Sequence, residues 1–211
     1  SVKGFPMGGN ELSETFGRVS RVEVSTYVHR MQELLQIQVD AAINAGNSGG
    51  PVFHKDKLAG VAFQGIAFAD GLGYIIPNCI VKKFLRDSLK QDPRLRGFPE
   101  LPFDTQDLDN EDQREVMGMS SEQSGILVLK VPTLFNAGAG VKSGDVLMEI
   151  NGKRINNDAT IDYPWLNHVD WTHEAAMSDI GANLPAKVLR DGQVLDINIT
   201  VESQFSQSLM A

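Results

Sequence analysis

The residues with most chemical content are Asp40-Ala41-Ala42-Ile43-Asn44-Ala45-Gly46-Asn47-Ser48-Gly49-Gly50-Pro51. A serine hydroxyl at neutral pH is a poor nucleophile. It attacks a carbonyl only when a base takes its proton and fixed donors stabilise the resulting oxyanion. Glycine beside serine lets the backbone turn so that successive N–H groups point into one small space. The amides of Gly46, Asn47 and Ser48 would build that space, with those of Gly46 and Ser48 as donors and Asn47 between them. Gly49 and Gly50 would leave room for a substrate to approach. Six defined positions, Gly-Asn-Ser-Gly-Gly-Pro, specify far more than a lone Gly-x-Ser-x-Gly. They lack the strand–elbow–helix context of esterases that use the shorter motif. Ser48 is therefore the candidate catalytic nucleophile.

The elements that must hold this turn read as β. Thr15 to Val24 is rich in β-branched residues, and Leu34 to Val39 is a second run. Gly50 to Phe53, Leu58 to Phe63 and Tyr74 to Ile76 are short apolar runs bounded by glycines or charges, the spacing of a barrel or sandwich. A helix follows. Asn78 is placed to cap it, Ile80, Val81, Phe84, Leu85 and Leu89 form its buried face, and Lys82, Lys83, Arg86 and Lys90 form its solvated one. The Gln91 to Pro102 stretch, with three prolines, a glycine and several charges, reads as a hinge.

Beyond it the pattern is mixed. Ile126 to Val131 and Val146 to Ile150 read as strands, and Asn151-Gly152 as a hairpin turn. Asp191-Gly192 leads into a last strand whose Leu195, Ile197, Ile199 and Val201 alternate with polar residues. Glu111 to Met119 and Tyr163 to Ile180 are the helix candidates.

The chain has 211 residues, net charge −8 and one cysteine. The single Cys79, at the helix start, excludes an intrachain disulfide and reads as packing. The absence of a Lys/Arg block argues against a nucleic-acid partner. The apolar runs are too short for a membrane span. Ser1-Val2-Lys3-Gly4 opens the chain without a leader pattern. No residue pattern calls for a cofactor or a metal. His168 and His173, five apart, suit an ordinary polar helix face better than a metal pair.

Asp-Ala-Ala-Ile-Asn-x-Gly-Asn-Ser-Gly-Gly resembles the serine signature of the HtrA/Deg proteases. Gly4-Phe5-Pro6-Met7-Gly8-Gly9 is similar to the loop that opens their second barrel. Gly17-Arg18-Val19-Ser20 and Gly73-Tyr74-Ile75-Ile76-Pro77 resemble two of that barrel's strands. With Ser25-Thr26-Tyr27-Val28-His29 and Phe98-Pro99, the chain looks closest to the Deg proteases of plant organelles and their bacterial relatives. The resemblance implies a mainly β fold with some α: residues 1–95 as the second half of a trypsin-like double β-barrel, 96–202 as a PDZ domain and 203–211 as a tail or linker.

For the site, the resemblance implies an S1 pocket base six residues before the serine, at Ala42, with Ile43 and Ile75 as apolar wall and medium aliphatic side chains at P1. Asn47 stands where digestive relatives carry an aspartate that pairs with a newly cut N-terminus, so activation by terminal cleavage is not expected. The family's histidine and aspartate lie on the first barrel, which would precede Ser1. His29 reads as a loop histidine and His54 as too near Ser48 to fold back as base. The chain is thus expected to be an inactive piece of a longer protease. The Φ-Gly-Φ carboxylate loop of the PDZ domain (Φ, apolar) corresponds to Leu101-Pro102-Phe103, in which proline removes one N–H donor.

The activity so implied is a serine endopeptidase of protein quality control, acting through an acyl-enzyme on unfolded or damaged proteins. Peptide segments would occupy the PDZ groove. Trimer-based homo-oligomers would form in the full-length protein, in a bacterial envelope or a chloroplast- or mitochondrion-type organelle. The competing reading is a non-catalytic binding, scaffold or chaperone-like protein whose PDZ domain carries the function.

Overall fold

In the computed structural model, residues 1–5, 11–27, 32–44, 46–63, 73–101, 103–132 and 140–203 are described. The chain divides into two units, Ser1–Leu89 and Lys90–Ala211. The first holds β1 (Val2–Gly4), β2 (Ser13–Thr15), β3 (Val19–Tyr27), β4 (Gln32–Val39), β5 (Pro51–His54), β6 (Lys57–Phe63), β7 (Gly73–Pro77) and α1 (Asn78–Ser88). Its strands form one sheet in the order β2-β1-β5-β6-β7-β4-β3.

That order forces closure. β2 and β3 are the two edges of the sheet, yet only residues 16–18 separate them in sequence. A flat sheet of this width would set its edges roughly 29 Å apart. The link reaches at most about 14 Å. The sheet must therefore curl on itself. The link also runs along the end of β4, where Asp40 N–H donates to Arg18 O at 3.1 Å and Arg18 N–H donates to Asp40 Oδ1. Gly17 is required there, since a Cβ would lie 2.4 Å from the Ala41 nitrogen. Inside the curl pack Val2, Val39, Ala41, Ile43, Val52, Ala62 and Ile75.

α1 corrects the sequence expectation twice. Its N-cap position is Pro77, which has no side-chain acceptor, and Asn78 is already helical. The face toward the unit's interior is Ile80, Lys83 and Asp87. Phe84, Leu85 and Leu89 are 57%, 56% and 84% exposed. The reason is local: Lys83 Nζ meets Asp87 Oδ2 at 2.7 Å one turn on, so the two charges enter the interior as a pair. Cys79, expected to pack, is exposed.

The second unit begins with a one-turn 3₁₀ segment (Pro93–Leu95) and β8 (Pro99–Glu100), both within the stretch read as a hinge. Next come β9 (Asp104–Gln106), α2 (Glu111–Val116), β10 (Ile126–Lys130), β11 (Val146–Ile150), β12 (Lys153–Arg154), β13 (Thr160–Tyr163) and β14 (Leu166–Asp170). The unit ends with α3 (Thr172–Met177), β15 (Asn183–Arg190), β16 (Gln193–Thr200) and β17 (Glu202–Ser203). The main sheet runs β16-β15-β11-β10-β9, with β12 on β11, and β17 pairs with β8. Asn151 and Asp191, at φ 50°, each precede a glycine at φ 74°, which fits the hairpin turn expected at Asn151-Gly152 and makes a second one at Asp191-Gly192.

Only the last part of the expected Tyr163 to Ile180 helix is helical. Pro164 breaks it, and Asp162 Oδ1 accepts from His168 N–H at 2.9 Å, closing a β13–β14 hairpin in its place. Asp170 Oδ1 then accepts from Thr172 N–H at 2.9 Å and starts the short α3.

Candidate active site

Ser48 lies on the turn that joins the end of β4 to β5, and it is exposed. Gly46 and Gly49 supply the left-handed conformations the turn needs, at φ 104° and 86°. Four backbone bonds tie the turn down. Asn47 N–H donates to Asn44 O at 2.9 Å, and Gly50 N–H to Asn47 O at 2.9 Å. Gly49 N–H donates to Ala62 O at 2.7 Å, and Ala62 N–H to Gly50 O at 2.9 Å. The turn is thereby stitched to β6.

Among the described residues, the N–H groups of Gly46 and Ser48 have no intrachain acceptor. Two unused donors thus flank Asn47, and free amides are the groups from which an oxyanion site can be built. The amide of Asn47, between them, is spent on Asn44 and is no donor to the site. The expectation for Gly50 changes. A Cβ there would lie 2.2 Å from Lys3 O, so this glycine lets β1 approach, whereas Gly49 faces open space.

Of the three S1 candidates only Ala42 is exposed; its carbonyl accepts from Thr15 Oγ1 at 3.2 Å. Ile43 and Ile75 are 6% and 4% exposed and belong to the core. Alternation explains it: Ala41 and Ile43 point inward and Ala42 outward. Gly73 sits against Ile43, where a Cβ would lie 2.6 Å from its Cδ1.

No described histidine stands at the nucleophile within this unit. His54 is exposed at the far end of β5, three residues beyond Pro51, about 10 Å along the strand. His29 lies outside the described residues, as do Pro6 to Asn10.

In the second unit, Phe103 is buried and stacks on Trp171 with ring centroids 6.0 Å apart. Leu101 is half-buried, and Pro102 lies outside the described residues. β9, which follows this segment, is an edge strand whose only partner among the described residues is β10. Sequence reasoning missed the polar cluster around α3. Glu174, buried, accepts from Tyr163 Oη at 2.5 Å and Asn151 Nδ2 at 2.8 Å, and pairs with Lys153 Nζ at 2.9 Å. Burial alone would push its carboxyl up; these three donors outweigh it and hold the carboxyl below its ordinary range. Beside it, burial pushes the His173 imidazole down. His168 is exposed on β14. Among the described residues no group of His, Cys, Asp or Glu side chains is placed to hold a metal ion. No described helix is long and apolar enough to cross a membrane.

The family model described as a trypsin-like peptidase domain matches residues 1–61. Putative protease Do-like 3, mitochondrial, from Arabidopsis thaliana is 36% identical over 202 residues, covering 96% of this chain and 36% of that protein. Protease Do-like 4, mitochondrial, from the same plant is 37% identical over 202 residues, covering 96% and 39%. The chain belongs to the HtrA/Deg family of trypsin-like proteases. The HtrA-type protease AlgW, solved with a tripeptide, superposes with a TM-score of 0.65 at 23% identity, covering 95% of this chain and 63% of that one. This likeness extends the family fold over both units. The chain spans just over a third of the length of these two curated HtrA/Deg relatives.

Proposed function

We propose that this chain is the nucleophile-bearing part of a serine endopeptidase of protein quality control, which cleaves unfolded or damaged proteins through an acyl-enzyme. The observation that carries the reading is the exposed Ser48 flanked by two unspent amides, those of Gly46 and Ser48 itself. The base and the orienting acid come from a part of the protease outside these residues. Ala42 forms the exposed floor of the S1 site, with Ile43 and Ile75 as the apolar layer beneath it. The site therefore takes medium aliphatic P1 side chains and rejects Lys and Arg, which would find no counter-charge.

The second unit is read as a PDZ domain. The free edge of β9 supports strand addition by an extended peptide. HtrA-type relatives have been solved with a tripeptide and a decapeptide. Proline in Leu101-Pro102-Phe103 weakens carboxylate capture, so Pro102→Gly is expected to tighten binding of a C-terminal peptide; unchanged affinity would count against this. Relatives are named for the mitochondrion, the chloroplast and the bacterial periplasm, and an organelle or envelope location is the corresponding reading here. A trimer-based homo-oligomer is the assembly proposed for the full-length protein.

Fluorophosphonate labelling tests the division of the triad. The full-length protease is expected to label at Ser48 and its Ser48→Ala variant not at all. The isolated chain should label weakly. Efficient labelling of the isolated chain would sink the reading that the base lies elsewhere. No labelling of the full-length protein, with peptide binding retained, would favour a scaffold. That second reading has one observation behind it: no described histidine beside Ser48 in its own unit.

A further inference from the structure

Asn47 is 2% exposed, and its Oδ1 is buried with no hydrogen-bond partner. Its amide and carbonyl are both spent inside the turn, on Asn44 and Gly50. Its side chain lies flat on β1: a Cβ on Gly4 would come within 2.6 Å of Asn47 Oδ1 and 2.9 Å of its Cα. Asn47 is therefore fixed through its two backbone groups and its side chain, while the residues on either side of it carry the unspent amides. A buried acceptor without a donor is a cost that a fold carries for a reason. An aliphatic side chain of similar size would avoid that cost, and a carboxylate in the same place would be a buried charge.

We propose that Asn47 is a positioning residue: a neutral side chain sealed against Gly4 that sets the turn so that the Gly46 and Ser48 amides stay free. The assignment depends on the protease reading only for what those amides serve. Rotation of residue 47 swings both neighbours, so a single side chain governs both donors. Neutrality is the essential property, because the described charged groups of β1 and the end of β4 already have partners, while His54 and Lys57 stand at the far ends of β5 and β6. Lys3 pairs with Glu14 at 3.8 Å and lies over the Phe53 ring, and the Ser1 ammonium donates to Phe53 O at 2.7 Å. Asp40 accepts from Arg18 N–H.

Asn47→Asp keeps the shape and adds a charge only when ionised. In the 211-residue chain, amide exchange of Gly50, whose N–H closes the turn on residue 47, reports the turn. The β3–β4 amides report the rest of the unit. In N47D, Gly50 protection is expected to fall at least tenfold at pH 8, with the β3–β4 ladder unchanged, and to return at pH 5.5, because burial with no donor at this site raises the carboxyl's pKa and it takes up its proton early. Gly4→Ala, which pushes Asn47 off β1, should lower Gly50 protection at both pH values. Wild-type protection in either variant would overturn the proposal, as would a pH-independent loss in N47D or one spread over the whole ladder. A failure of the protease reading would appear in the labelling experiment and leave these exchange rates untouched.

Discussion

His173 occupies a buried site in which its Nδ1 has no partner, with the rings of Tyr163 and Trp165 against its edge. Burial lowers its pKa; Glu174 and Asp170 pull the other way, and Lys153 adds to the lowering. The folded value thus lies below the ordinary value of about 6.5. As pH falls, the unfolded chain takes up the proton first. The contribution to stability is full above about pH 6.5 and is lost as pH falls through that value toward the lower folded one. Urea unfolding of the second unit should therefore show a falling midpoint from pH 7.5 to 5.5, and His173→Phe should flatten that profile. Its neighbour Glu174 acts differently, because three donors converge on one carboxylate. Glu174→Gln should cost about 2 kcal/mol in the same assay, since Lys153 loses its charge partner and the amide cannot accept all three bonds. Glu174 did not stand out in the sequence, and His173, read there as part of an ordinary polar helix face, is buried instead. Their partners Asn151, Lys153 and Tyr163 lie 11 to 23 positions from Glu174 and meet it only after the β11–β12 turn and the β13–β14 hairpin have formed.

Among the elements, α1 shows how far periodicity reaches. The heptad-like spacing of Ile80, Val81, Phe84, Leu85 and Leu89 correctly marked a helix, but not the side it buries. The interior accepts Lys83 and Asp87 because each neutralises the other, with Arg86 Nε also 3.1 Å from Asp87. Lys83→Ala takes the fully buried charge partner from a buried carboxylate that keeps Arg86, and should cost about 2 kcal/mol in thermal unfolding. Leu89→Ser, on the apolar but exposed face, should change stability by less than about 0.5 kcal/mol. The opposite ranking would mean that the apolar stripe is the buried one. Tyr163 to Ile180 teaches the complementary lesson. Its composition suits a helix, but Pro164 and the Asp162–His168 bond divide it between a hairpin and a short helix.

At the scale of the molecule, closure of the first unit follows from connectivity alone, since a three-residue link joins the two edges of a seven-stranded sheet. The curled sheet buries its core but leaves Phe5, Leu12, Phe16 and Val19 exposed, along with the outer face of α1. Scattered apolar residues are ordinary on a surface, but this many large ones in 89 residues call for cover. The isolated chain is expected to bind an apolar dye such as ANS and to self-associate with rising concentration in sedimentation velocity. Phe16→Ser combined with Leu89→Ser should reduce both signals. A monomer without dye binding at high concentration would show that these residues need no cover.

The turn around Ser48 could be recognised from sequence because its chemistry is local. Six consecutive residues set the backbone angles, place two amides beside the hydroxyl and exclude bulky neighbours, and no distant partner is needed to read them. The strand runs and the Asn151-Gly152 turn were legible for the same reason. Only the tertiary structure decided which amide of the turn is spent, that Ile43 and Ile75 belong to the core, and that Gly4 and Gly50 make room for the turn and β1 to meet. The last of these depends on residues 40 or more positions apart, Lys3 against Gly50 and Gly4 against Asn47. Such an approach is fixed by strand order and packing and leaves no periodic trace in the sequence.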